Sequence, residues 1–352
     1  MRPLLVLIAI LAFPQAVLAA PVAPAAPPLS GAPDAVLKWI KNYRAKPNPM
    51  AVPAVIQALS QHGTIKDPDS SGVYVGFYAG VLGANPSKAW TLIEKTLPIP
   101  FEDQWFVIRA LAYSGLPQWK DLMRKLALKL PNRQVMAQHY MDGELPALNQ
   151  VSLEPTQRSS MDKMKSFFSG ETFWGEKKPA KRQITFQSSP ELIDALWGIY
   201  YATGSEAAIA QIVVLLPWSK ERDNTEKLTI GSMAKFTLAS NAARDEVLLG
   251  VLKHLQEHQS KAVKPILAEV IEAAELADTA RLGKEAVAAL DELKKKGPGS
   301  TRDLASAGAI GEAALSFGCL GLAVAGQVEA GIPCVIGGAM TTGALRYLGR
   351  TD

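Results

Sequence analysis

The chain has 352 residues, a formal net charge of +4 at pH 7, two cysteines and four histidines. This length provides for a sizeable core in one or two domains. The charge is small and acidic and basic residues interleave along most predicted helices, which argues against nucleic acid as a partner. Two cysteines exclude a disulfide-rich framework, and four histidines argue against a metal site rich in imidazole ligands.

Residues 1–19 have the pattern of a secretory signal peptide. Arg2 supplies a positive charge, the stretch from Leu4 to Phe13 is apolar, and Ala19 ends a small-residue cleavage site. The apolar run is too short for a membrane span. We therefore predict an exported protein, periplasmic or secreted, in a compartment that oxidises thiols. Residues 20–33, rich in proline and alanine, are predicted to form an extended linker.

One pattern recurs over residues 34–141 and 191–296: an apolar helix, a turn with Gly, Asn or Pro, and a second, amphipathic helix. Strand signals are almost absent. The predicted fold class is all-α, with helix-turn-helix repeats that stack as in an α-solenoid. An irregular helical domain without a true repeat is the alternative. The last part of the second range is predicted to be long helix, interrupted near Pro265.

The turn residues give the repeat a period of about 32–37 residues. Pro47 and Gly83 are 36 residues apart, Gly83 and Gly115 are 32 apart, and Gly204 and Asn241 are 37 apart. The three glycines are predicted to end helices in the left-handed conformation. The unit length resembles that of tetratricopeptide-type repeats, but the Trp-Leu-Gly-Tyr spacing of that family is missing.

Residues 142–190 form a polar insertion that interrupts the period. Long insertions of this kind commonly carry function or lack structure of their own. Its aromatic residues fit two interpretations, docking of a partner or a short helix that covers a groove. They are Phe167, Phe168, Phe173 and Trp174.

Residues 304–349 are predicted to form an apolar, Gly-rich helical hairpin. Cys319 and Cys334 are equally distant from its turn, GQVEAG, so the two thiols should meet in an antiparallel pair. Export makes a disulfide bond the favoured interpretation. Two buried free cysteines are the alternative.

Membrane insertion of this hairpin stays open. Its first arm, from Leu304 to Gly326, is long enough to span a bilayer. Glu312 and the many glycines argue against insertion, as do the cations at both ends, which the positive-inside rule would place in the cytoplasm. Burial or self-association of the hairpin is the favoured alternative.

Residues 254–258 read HLQEH, which resembles the HxxEH motif of inverzincin zinc peptidases over five residues. The resemblance implies zinc ligation by His254 and His258, with Glu257 as the base. A third ligand would come from Glu269 or Glu272. That family is built from large α/β domains, whereas no strands are predicted here. The favoured interpretation is therefore a solvated helix end, and no cofactor is predicted.

Two further groups carry weaker signals. Ser232 and Lys235 form an SxxK pattern, but the companion elements of serine penicillin-recognising enzymes are missing, so we expect a helix surface. Trp197, Tyr200 and Tyr201 have helical spacing and are expected in the core rather than around a ligand.

The sequence therefore predicts an exported, non-enzymatic helical repeat protein that binds a protein or peptide. Residues 304–349 are expected to provide for association with the envelope or for self-association. Two alternatives remain: a zinc-dependent hydrolase of the HxxEH type, and a membrane-anchored or membrane-active protein. Nucleic acid is not expected as a partner.

Overall fold

The computed structural model is all-α over the residues that it describes and contains no strand there, which confirms the all-α part of the predicted fold class. It describes residues 27–68, 70–145, 147–148 and 190–277, and residues 281, 282, 284, 285, 288, 289 and 292. The predicted signal peptide, most of the 142–190 insertion and the 304–349 hairpin with Cys319 and Cys334 lie outside the described residues.

The described residues form twelve α-helices, joined in places by 3₁₀-helical segments of three to five residues. The first seven are α1 Pro33–Asn42, α2 Val52–His62, α3 Gly72–Ala84, α4 Ala89–Thr96, α5 Gln104–Tyr113, α6 Trp119–Lys129 and α7 Gln134–Asp142. The other five are α8 Pro190–Thr203, α9 Glu206–Val213, α10 Thr225–Ala242, α11 Glu246–Glu257 and α12 Lys264–Glu275.

Short polar side chains fix the starts of three helices. The side chains of Ser205, Asn224 and Asp245 accept hydrogen bonds from backbone N–H groups in the first turns of α9, α10 and α11. These bonds satisfy donors that have no partner within the helix. Pro265 lies in the first turn of α12, where its missing N–H is not needed, so the predicted interruption near this proline is confirmed.

Two of the three predicted glycine turns are confirmed. Gly115 and Gly204 have φ values of 68° and 72° and follow α5 and α8. The prediction for Gly83 is wrong, because this residue lies inside α3, where a Cβ would overlap the Ser114 carbonyl oxygen. Asn241 likewise lies inside α10. Two of the five residues from which the repeat period was measured, Gly83 and Asn241, therefore lie in helices rather than in turns.

The helices stack in a row in which α7, α5, α3, α8, α10 and α12 are successive neighbours. Within each half of the row, neighbouring helices are two apart in chain order, as in the pairs α3–α5 and α10–α12. The helices α2 and α4 pack on each other with the same spacing. The row leaves chain order at its centre, where α3 packs on α8. In a simple solenoid each unit contacts only its sequence neighbours, so this central contact differs from the expected arrangement.

The α3–α8 contact is the most extensive between any two of the described helices, and small residues make it close. Gly72, Gly76 and Gly80 recur at every fourth position of α3 and face α8. A Cβ at Gly76 would overlap the carbonyl oxygen of Ala195, and one at Gly198 would overlap the backbone of α3. The absence of side chains at these positions lets the two helix backbones touch.

A polar cluster joins the N-terminal helices to the C-terminal half. Arg44, which follows α1, forms an ion pair with Asp245 at the start of α11. The Arg44 guanidinium lies 4.5 Å from the centroid of the Tyr200 ring, and the Tyr200 hydroxyl donates a hydrogen bond of 3.1 Å to Asp245. The segments around Arg44 and Asp245, about two hundred residues apart in sequence, therefore both contact Tyr200 of α8.

Candidate interaction surface

The predicted zinc residues lie at the exposed C-terminal end of α11. The imidazole centroids of His254 and His258 are 5.5 Å apart. His254 Nδ1 lies 2.7 Å from a carboxylate oxygen of Glu206, and its side chain is 61% exposed. Glu269, a predicted third ligand, instead contacts Lys235. Within the described ranges no group of three His, Cys, Asp or Glu side chains has the arrangement of a metal site.

The expectation of a surface position for the SxxK residues is wrong. Ser232 and Lys235 are both buried on α10, and Lys235 is only 7% exposed. Its ammonium lies 2.5 Å from Glu269 Oε2 and 3.6 Å from Glu285 Oε2. Neighbouring helices cover the lysine, and the carboxylate of α12 compensates for its desolvation.

The expectation of a core position for the aromatic residues of α8 is confirmed. Trp197, Tyr200 and Tyr201 are all buried. Their polar atoms have partners within the protein, because Trp197 Nε1 donates to Thr237 at 3.2 Å and the Tyr201 hydroxyl donates to Asn241 at 3.0 Å. These side chains therefore support packing of α8 on α10 rather than binding of a ligand.

A cationic surface on α6 was not identified from the sequence pattern. The helix forms because apolar side chains recur at i, i+3, i+4 and i+7 and are all buried. They are Trp119, Leu122, Met123 and Leu126. This packing turns Lys120, Arg124, Lys125 and Lys129 outward, and all four are exposed. We call these four residues the α6 face.

Positive charge dominates the α6 face. The helix itself contains one carboxylate, Asp121, which forms an ion pair with Arg124. Glu94 of α4 lies 2.9 Å from Lys129, and the hydrogen bond from this lysine lowers the pKa of Glu94 below its usual value. Glu94 is therefore ionised at neutral pH and contributes a negative charge beside Lys129. Four cations face two carboxylates, so the surface has a net positive charge.

An aromatic side chain underlies part of the face. Trp90 of α4 is partly buried, and the ammonium groups of Lys125 and Lys129 lie 5.8 and 5.7 Å from its ring centroid. The indole attracts both cations and limits the conformations of their side chains. The two ammonium groups are therefore held together over one ring, beside the Glu94 carboxylate.

The signal for this surface was present in the sequence. Most helices interleave acidic and basic residues, but α6 contains four cations and a single acid, all outside its apolar spacing. The charge of the whole chain obscured this local concentration.

Comparisons with models of known protein families, with curated proteins and with solved structures found no match for this chain. Within the part of the chain that the structure describes, no helix is both long and apolar enough to cross a membrane.

Proposed function

We propose that this protein is an exported, non-enzymatic helical docking module that binds a partner with an acidic surface. The observation that carries the proposal is the α6 face, whose four exposed cations lie on one helix and include two that pack on Trp90. Complementary charge on a partner would speed association and fix its orientation.

The positions of the candidate catalytic groups support a binding role. Lys235 is buried, and its ammonium is held in an ion pair with Glu269. His254 lies beside Glu206 on the surface.

The test uses the mature chain as bait in an extract of the cell envelope. The variant Lys120→Glu/Lys125→Glu reverses two charges of the α6 face at exposed positions. Lys261→Glu/Lys264→Glu is the matched control, because these lysines are also exposed but lie at the start of α12 and just before it.

We expect wild type and control to retain the same partner, the α6 variant to lose it, and added salt to release it by screening the charges. Equal retention by all three proteins would show that the α6 face is not the binding surface. A specific hydrolase activity in the purified protein would contradict the non-enzymatic role.

A further inference from the structure

Three large apolar side chains protrude beside the α6 face, around the turn at residues 131–133. Leu128 is 80% exposed, Val135 is 70% exposed and Phe101 is 50% exposed. Single exposed apolar residues are ordinary on a protein surface. Three of them beside a cationic surface indicate an interaction site.

Contacts of Arg133 join the chain segments that carry these residues. The guanidinium of Arg133 lies 4.3 Å from the Phe101 ring centroid, and it donates to the carbonyl oxygens of Phe101 and Glu102 at 2.9 and 3.2 Å. The end of α6, the turn at residues 131–133 and the turn at residues 101–103 are thus joined. We call Phe101, Leu128 and Val135 the apolar corner.

The apolar corner continues the α6 face. Leu128 follows Arg124 by four residues and Lys125 by three, so the three side chains lie on the same side of the helix. Lys129 is adjacent in sequence, and Arg133 adds a fifth cation over Phe101. The five cations are accompanied by three exposed carboxylates, those of Glu94, Glu102 and Asp121, so the charge around the apolar side chains is positive on balance.

We propose that the apolar corner and the α6 face dock this protein on an anionic phospholipid surface; this inference rests on the proposed docking function and specifies its partner. Lysine and arginine side chains attract acidic headgroups, and apolar side chains enter the boundary between headgroups and acyl chains. A protein partner would need pockets that match these three side chains, whereas the boundary of a bilayer accepts protruding apolar side chains in any arrangement.

The test is sedimentation of the full mature chain with lipid vesicles, either pure phosphatidylcholine or an equimolar mixture of phosphatidylcholine and phosphatidylglycerol. We expect binding to the mixed vesicles alone. Leu128→Asn/Val135→Asn should weaken binding at least about tenfold, since two apolar side chains no longer enter the bilayer. Lys125→Gln should weaken it about fivefold, which corresponds to one surface cation.

The matched control is Val247→Asn/Lys261→Gln, which removes an exposed valine and an exposed lysine from the C-terminal half. Its binding should equal that of wild type. All the substituted side chains are exposed, and circular dichroism and thermal unfolding will verify that each variant is folded.

The outcomes separate the two proposals. If the mixed vesicles fail to bind wild type while the envelope pull-down still depends on Lys120 and Lys125, the partner is an acidic protein and the lipid proposal is wrong. If both assays fail, the docking function is wrong as well. Equal vesicle binding by wild type and Leu128→Asn/Val135→Asn would also overturn the role of the apolar corner.

Discussion

At the scale of single residues, the ion pairs of Glu269 hold the C-terminal helices together. Lys235 on α10 approaches Glu269 on α12 to 2.5 Å, and Lys220 lies 3.2 Å from the other carboxylate oxygen. Burial opposes ionisation of Glu269. The hydrogen bonds and charges of the two lysines outweigh it, so the pKa of Glu269 lies below its usual value. Its carboxylate therefore favours the folded state.

This pKa shift predicts how stability changes with pH. A carboxylate whose pKa is lower in the folded than in the unfolded chain stabilises fully above the unfolded value of about 4.3 and loses this effect in more acidic solution. Glu269→Gln should therefore lower the free energy of unfolding by about 1–3 kcal/mol at neutral pH, because the buried ammonium of Lys235 loses its charged partner on α12. The difference from wild type should shrink as the pH falls below about 4.

Urea unfolding of wild type and Glu269→Gln across this pH range measures the effect. Glu257→Gln is the matched control, because Glu257 is an exposed glutamate at the end of α11, and we expect little change at any pH. A difference between wild type and Glu269→Gln that stays constant with pH would show that charge is not the cause.

The same contacts bear on zinc. A carboxylate of Glu206 lies at His254 Nδ1, and Lys235 and Lys220 contact Glu269. We therefore expect purified protein to contain no stoichiometric zinc, as measured by elemental analysis after dialysis against metal-free buffer. Stoichiometric zinc that disappears in His254→Ala would contradict this prediction and support the HxxEH alternative.

At the scale of helices, the glycines of α3 determine how the two halves meet. Gly72, Gly76 and Gly80 remove side chains along the line where α8 approaches. The rest of α3 is rich in large apolar residues that are buried, among them Val73, Phe77 and Val81. Close backbone approach is thus combined with extensive apolar burial, and a single added methyl group would disturb both.

Gly76→Ala should separate α3 from α8, because its Cβ would overlap the Ala195 carbonyl oxygen. An extra methyl group that forces a close-packed core to expand lowers the free energy of unfolding by about 1–3 kcal/mol. Gly250→Ala is the matched control: this glycine lies inside α11, and a Cβ there would meet no atom within 4 Å. It should raise stability by about 0.5–1 kcal/mol through helix propensity.

Guanidinium unfolding midpoints of the two variants and wild type provide the measurement. Opposite signs for the two substitutions would support the close-packed contact. A Gly76→Ala protein as stable as wild type would instead show that α3 and α8 are not in backbone contact.

Sequence patterns predicted the local features of these helices more successfully than their long-range partners. Gly115 and Gly204 could be assigned as helix ends because the left-handed turn is a property of a few neighbouring residues. The spacing of Gly72, Gly76 and Gly80 was visible too, but the helix that it contacts lies beyond the 142–190 insertion. No pattern within α3 specifies that distant partner.

Predictions for the candidate site had the same limit. Spacing correctly placed Trp197, Tyr200 and Tyr201 in the core. It placed Lys235 on the surface, because burial of a lysine depends on a carboxylate from another helix, here Glu269. The α6 face is different, because the direction of the buried side of α6 follows from the apolar periodicity within this helix, the same pattern that predicts the helix.

At the scale of the whole molecule, the two halves are joined by the α3–α8 contact and by polar clusters at its sides. Arg44 and Asp245 connect the N-terminal helices to α11, over the ring of Tyr200. Arg109 of α5 pairs with Glu191 at the start of α8. These contacts join segments distant in sequence, so we expect the described halves to unfold together.

A double-mutant cycle on Arg44 and Asp245 tests this connection. Arg44→Met keeps the aliphatic stem, and Asp245→Asn keeps a side-chain oxygen that can cap α11. Because the pair is partly buried and shares Tyr200, we expect a coupling energy of about 1–2 kcal/mol in urea unfolding. The matched control is the pair Arg124 and Asp121, which is exposed and local to α6, and its coupling should stay below about 0.5 kcal/mol.

Fluorescence and circular dichroism should give the same midpoint in each protein, as expected for a single cooperative transition. If the first pair couples no more strongly than the second, or if two transitions appear in wild type, the Arg44 cluster does not join the halves.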